Sequence, residues 1–422
     1  MVIKKKIKIT NPQGLHARRD VAVAGGRIVA VAEHTPDKDA HDVIEAHGLF
    51  VTPGLVDLHV HVWWGVAHLA IEADPSSLAR GATTAVDAGS AGSNTIAGFR
   101  RYVIEQVDTR VLAFLNISGM GQLDNDIGEL QDIRWARVGR AVEAARLHPD
   151  EVVGIKVRLT DGIAGENDVV ALERAIEAAS QIGKPVMIHI GRSVHPLEKL
   201  LPLLRPGDLV THSFTGHPHG ILDNNNRVID VARDARSRGI IFDVGHGAGS
   251  FSFDVAEKAL ADGFPPGTVS SDVHRYNVRG PVFDLLTTLS KYVHMGLPWT
   301  KSSPWARRSR RPRWAAPTLP VARGQTSSAR SRWAPKPTSP SSSSVKARSP
   351  SPMPWARPGR ARNSSSPRSP CERAAATHRY TQLTHTSPAT RPEQLCPARP
   401  LACGDGGLDV MLNLFQHPKG WK

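Results

Sequence analysis

The chain has 422 residues with 53 Lys or Arg against 39 Asp or Glu, a formal net charge of +14, and 40% apolar residues, enough to fill a sizeable core. The charge is unevenly spread: residues 299–422 hold 22 of the basic residues, 4 of the acidic ones and 18 of the 32 prolines, which leaves the first 298 residues at −4. All three cysteines, Cys371, Cys396 and Cys403, lie in that tail, so the first 298 residues are excluded from disulfide frameworks and from thiolate metal or nucleophile sites. The Lys-rich start is not followed by a signal-peptide run, and no stretch reaches the roughly 18 apolar residues of a membrane span, so a soluble cytoplasmic protein with no membrane partner is expected.

In chain order, the segments VAVA and RIVAVA read as two short alternating strands joined by Gly25-Gly26, a small β-element ahead of the main domain. From Leu55 the texture changes to eight short apolar, β-branched runs, beginning at Leu55, Thr83, Val111, Val152, Pro185, Asp208, Gly239 and Thr268. Helical patterns separate them, among them ARVGRAVEAARL after Trp135 and DVVALERAIEAASQIG after Asn167, the latter closed by Gly183. Eight strands alternating with helices over about 220 residues match a (β/α)8 TIM-type barrel, with an open doubly wound sheet as the alternative. The runs end in reactive or hydrogen-bonding side chains: His59 and His61, Asp87, Asn116, Lys156, His189, His212, Asp243 and Asp272. In a barrel these ends converge on one mouth, which favours that fold. LLTTLSKYVHMGLP, from Leu285, reads as a further amphipathic helix and its exit. The expected organisation is therefore a small β-domain portion over 1–52, a barrel over 53–298, and a basic, low-complexity Pro/Ser/Arg tail over 299–422 with no periodic apolar face, expected to be disordered or out of frame.

His59-Val60-His61 places two imidazoles on one side of a strand, where they can grip a metal ion; taken alone the pattern serves a structural reading equally well. Asp57 on the same face raises the metal reading, because three polar residues in a buried strand make a poor core. Lys156, in GIKVR, cannot stay charged and unpaired in an apolar strand. Buried, its amine loses basicity and can form a Schiff base or a CO2-derived carbamate; the alternative is a Lys that reaches the rim and pairs there. His189 and His212 fall one βα unit apart near two successive strand ends. Asp272, in SSDVH, can ligate a metal and act as general base.

The ordered set PGLVDLHVH, GIKVR, His189, THSFTG with His212, and SSDVH resembles the amidohydrolase superfamily, and GATTAVDAGSAGS, FDVGHGAGSFSFDVAEKALADGFPPGTVSSDVH and GPVFDLLTTLSKYVHMGLP resemble its amidohydrolase/deacetylase, dihydroorotase-like metallohydrolases. The resemblance runs from about Arg19 to Pro298. It implies a two-metal centre, usually zinc, in which His59, His61 and Asp272 hold one cation, His189 and His212 the other, and carboxylated Lys156 bridges both with the nucleophilic water. The expected activity is hydrolysis of an amide or acetyl-ester bond in a small acyl compound or cyclic amide, with Asp272 and Lys156 in the catalytic roles. Family chains continue past the last barrel strand to complete the small β-domain. Here the tail departs from that pattern and looks like a coding sequence read out of frame, which would leave the β-domain incomplete and apolar surface bare near the hairpin.

His246, in GHGAGSF, and Arg158 are candidates for contact with substrate, whereas His217 and His219, in HPHG, read as solvated loop before ligand. A homo-oligomer is compatible with the pattern. A reading from a different class makes the chain a polyanion or nucleic-acid binder through its +18 tail, with an inactive barrel; the acidic first 298 residues offer no basic face for it.

Overall fold

The computed structural model describes residues 2–10, 16–24, 27–46, 49–297 and 412–416. At the N-terminus, β1 (Val2–Thr10), β2 (His16–Ala24) and β3 (Arg27–Ala32) form an antiparallel meander, and β4 (Val43–Glu45) and β5 (Leu49–Pro53) both run parallel to β1. The β-element is thus larger than the two strands expected. Its core is small, Val21, Val23, Ala46 and Val51, and β3 leaves Ile28, Val29 and Val31 44–61% exposed. A sixth strand comes from the tail: residues 412–416 pair antiparallel with β5, Leu412 opposite Pro53 and Gln416 opposite Leu49. These five residues differ from the expected structureless tail. The rest of the tail, residues 299–411 and 417–422, lies outside the described residues, as do residue 298, Gly25 and Gly26.

The second sheet is parallel throughout. Its seven strands, β6 (Leu55–Val60), β7 (Ala82–Gly92), β8 (Arg110–Asn116), β9 (Val152–Arg158), β10 (Val186–His189), β11 (Leu209–Thr211) and β12 (Ile241–Phe242), lie side by side in sequence order. Seven of the eight expected runs are therefore strands. The eighth, from Thr268, is not: it makes only two bridges, Thr268 with Asp243 and Val273 with Val60. The physical reason is local. Ser270 and Ser271 spend their hydroxyls on Asp243 and Asp57, and Asp272 has φ 50°, which breaks the pleat. Backbone bonds nevertheless run from this segment to both edges of the sheet, Val244 N–H to Thr268 and His246 N–H to Ser270 on one side, Asp272 N–H to His59 and His61 N–H to Val273 on the other. The sheet is accordingly curled, with both edges meeting at one segment.

Helices cover the outer face. The 168–182 helix packs through Ala171, Leu172, Ala175, Ala178 and Ala179, positions with helical spacing whose small side chains let it lie close against the strands. Gly183 caps it with φ 65°. Helices over Val138–Leu147 and Leu285–His294 likewise fall where the periodicity places them. A smaller apolar set, Val86, Ala88, Phe114, Val153, Met187 and Leu209, shares the face of Lys156, whose register partner is Met187. Among the described residues no helix is long and apolar enough to cross a membrane.

Candidate metal centre

Strand ends bring the predicted ligands together. His59 lies in β6 and His61 just beyond it, and both Nε2 atoms face Asp272 Oδ1, at 3.3 and 3.2 Å. His212 follows β11 directly, with its ring 5.1 Å from that of His59 and 4.1 Å from that of His189, the last residue of β10. His59, His212 and Asp272 offer ligand atoms that all fall within 4.8 Å of one another. Two of these residues have left-handed backbone, His212 at φ 66° and Asp272 at φ 50°, so each departs from the extended conformation to face the others.

The opposite ring nitrogens are anchored. His212 Nδ1 lies 2.6 Å from the Gly245 carbonyl, which can only accept, so Nδ1 carries the proton and Nε2 the lone pair. Thr211 donates to Asp243 Oδ2 at 2.9 Å and is left to accept from His59 Nδ1, also at 2.9 Å. His61 Nδ1 meets Ser90 Oγ at 3.0 Å. Burial pushes the pKa of His61 down to about 3 and of His212 to about 4, and holds His59 and His189 well below the ordinary histidine range, with neighbouring Lys156 and the other imidazoles adding to the effect. Neutral imidazoles with Nε2 lone pairs aimed at a carboxylate oxygen have no proton to share. Such a set is stable around a cation and repulsive without one, and partners on the far nitrogens are how proteins orient histidine ligands.

Lys156 sits among them, fully buried in β9, and among the described residues its Nζ has no hydrogen-bond partner. Burial lowers its pKa from 10.5 to about 8, against the pull of Asp272. Gly89 makes the room: at φ 92°, a Cβ there would lie 2.7 Å from Lys156 Cγ. The donor set of His59, His212 and Asp272 fits a divalent cation.

The remaining candidates separate. Arg158 is held by Glu129, Nε to Oε1 at 2.7 Å and Nη2 to Oε2 at 2.5 Å, so two of its nitrogens serve a buried internal pair. His246 is stacked on Phe251 and accepts from Lys291 Nζ at 2.9 Å; burial lowers its pKa to about 4. The adjacent Gly247, with φ 59°, lies against Asp272, where a Cβ would come within 2.5 Å of Oδ2. His217 and His219 are exposed loop residues outside the cluster. Sequence reasoning missed the support behind the ligands. Asp243 accepts from Thr211, Thr268 and Ser270. Asp57, raised to about pKa 7 by burial, accepts from the Ser271 backbone and hydroxyl rather than joining the histidines. The signal was an Asp or Ser at a strand end; only the partners were unreadable.

The chain belongs to the amidohydrolase superfamily, as its relatives show. It is 37% identical over 282 residues to a deacetylase from Agrobacterium fabrum, covering 66% of this chain and 69% of the relative. A solved structure described as a dihydroorotase is 35% identical with TM-score 0.66, over 71% of this chain and 79% of that one. Another, described as an adenine deaminase, is 33% identical with TM-score 0.65, over 71% and 80%. No family model matches the chain.

Proposed function

We propose that the protein is a metal-dependent hydrolase that cleaves an amide or acetyl-ester bond of a small acyl compound, its site at the mouth of a (β/α)8 barrel over residues 53–298. His59, His61 and Asp272 would hold one divalent cation, most naturally zinc, and His189 and His212 a second, with the Lys156 carbamate between them. The observation that carries the reading is the approach of two imidazole Nε2 atoms to Asp272 Oδ1 beside an unpartnered buried amine. When bound, the cations supply Lewis acidity to the scissile carbonyl and make water acidic enough to attack near neutral pH. The chain's own groups do the rest. The Lys156 lone pair forms a C–N bond with CO2, the nitrogen gives up a proton to solvent, and the product is an anionic carbamate. Asp272 Oδ2, kept clear by Gly247, takes the proton from the attacking water and returns it to the leaving amine or alkoxide. Burial keeps the imidazoles neutral, and the Nδ1 partners of His59, His61 and His212 fix their orientation.

The deacetylase relative favours an acetyl group as the part removed; N-acyl amino acids, acetylated hydroxy acids and cyclic amides form the test set. Zinc-loaded protein should retain about two metals per chain and hydrolyse at least one group of the set. Full-length folded protein that retains no metal after dialysis against zinc would overturn the reading.

A further inference from the structure

A cavity of about 830 Å³ opens between residues 64–80 and 275–283, the loops that follow the strand of His59 and the segment of Asp272. Three guanidinium groups stand in its wall, those of Arg80, Arg275 and Arg279, beside Trp64 and Phe283. Among the described residues none of the three makes an ion pair or a side-chain hydrogen bond, and Glu72 is the one acidic residue in the lining. The aromatic side chains are 60% and 48% exposed. Unpaired cations around bare aromatic surface, on a stretch of chain whose net charge is −4, call for a partner that is both acidic and apolar.

The chain carries such a feature itself. Residues 123–127, Leu-Asp-Asn-Asp-Ile, are five consecutive exposed positions between buried Gln122 and Gly128. Ile127 is 68% exposed and Leu123 38%, and neither Asp124 nor Asp126 forms a salt bridge among the described residues. The loop is pinned at both ends, by His68 N–H to the Gln122 carbonyl at 3.3 Å and Leu130 N–H to that of Ile163 at 3.0 Å. Inside it, Asp126 and Ile127 N–H both donate to Asp124 Oδ1. So braced, it lies beside the cavity, whose wall includes His68.

We infer that the 123–127 loop of one copy docks in the arginine cavity of a second copy, and that two copies exchange loops reciprocally in a two-fold dimer. The loop follows β8, and the cavity is built from the segments after β6 and after Asp272, so both lie at the carboxyl end of the parallel strands, as an isologous interface needs. Asp124 and Asp126 meet Arg275 and Arg279, while Leu123 and Ile127 cover Trp64 and Phe283. A free small anion would satisfy the arginines and leave both apolar surfaces bare.

Charge exchange tests this in the full chain, with no residue of the metal centre altered. A loop variant, Asn125→Lys with Asp126→Lys, takes the loop from −2 to +1 and keeps the Asp124 brace. A cavity variant, Arg275→Glu with Arg279→Glu, makes the cavity acidic. Sedimentation velocity should show the parent at twice the 45.6 kDa chain mass and each variant at once that mass, with unchanged circular dichroism. An equal mixture should return to twice the mass, because each loop then meets a cavity of opposite sign. A monomeric parent, variants that stay dimeric, or a mixture that remains monomeric would overturn the inference. So would a parent that is monomeric and binds pyrophosphate through Arg275 and Arg279.

Discussion

Lys156→Met should stabilise the metal-free protein while abolishing its hydrolytic activity. In the metal-free fold the amine is buried without a partner, and the drop from 10.5 to about 8 corresponds to about 3 kcal/mol against its charged form. The sign follows from proton counting. Below pH 8 both the folded and unfolded chains hold the proton, and the fold bears the whole penalty. Between about 8 and 10.5 the unfolded chain holds a proton that the folded chain lacks, so stability from this group rises with pH, and above 10.5 the penalty is gone. Methionine matches the length of the stem and carries no charge. Urea unfolding in excess chelator should therefore place Lys156→Met about 3 kcal/mol above the parent at pH 7, with the gap closing toward pH 10.5. With zinc and bicarbonate present the order should reverse, since only the parent gains from binding metal. Equal metal-free stabilities at pH 7, or a gap that does not change with pH, would refute the assignment of Lys156 as a functional amine held in the fold at a cost.

Asp272→Asn should keep much of its metal, through the amide oxygen, yet lose about 10² to 10⁴ in turnover because it cannot take the proton; parallel metal analysis and initial rates check both halves. Acid should destabilise the metal-free fold as pH falls from 6.5 toward 4, because the unfolded chain takes up protons that His61 and His212 refuse until about 3 and 4; thermal unfolding across that window is the measurement. Glu129→Leu alone should cost about 3–5 kcal/mol by stranding the Arg158 charge, and Glu129→Leu with Arg158→Met clearly less, as a double-mutant cycle would show.

The candidate ligand set was legible because metal chemistry would place polar residues where a strand should be apolar. His59, His61, Lys156, His189, His212 and Asp272 all violate the local pattern, and a violation repeated at successive strand ends has few explanations. Helices with strong periodicity, such as 168–182, were legible for the same reason in reverse. What could not be read were partnerships across the fold. Glu129 and Arg158 lie 29 residues apart, in a loop and a strand with no shared period, and Thr211 gives no sign in sequence that it joins His59 to Asp243. The eighth run looked like a strand because its composition is β-prone; its serine hydroxyls and the Ser271 N–H instead bond aspartate side chains, and the left-handed turn at Asp272 interrupts the ladder. The N-terminal sheet was underestimated because β4 and β5 are short and pair with a strand far earlier in the chain rather than with a neighbour.

The left-handed backbone at His212 and Asp272 limits which sequences this site can reach. Only a few side chains are commonly found at such φ, chiefly Gly, Asn, Asp and His. The chain uses the two of those four whose side chains bind divalent metals well. Drift at either position is thereby confined to a short alphabet: exchange for Asn or Gly spares the backbone and weakens the ligand, while Glu or Cys would keep a donor atom but oppose the backbone turn that aims it. Apart from exchange between His and Asp themselves, neither route offers another good ligand, so these two positions should be slow to change even where the specificity loops around them vary freely.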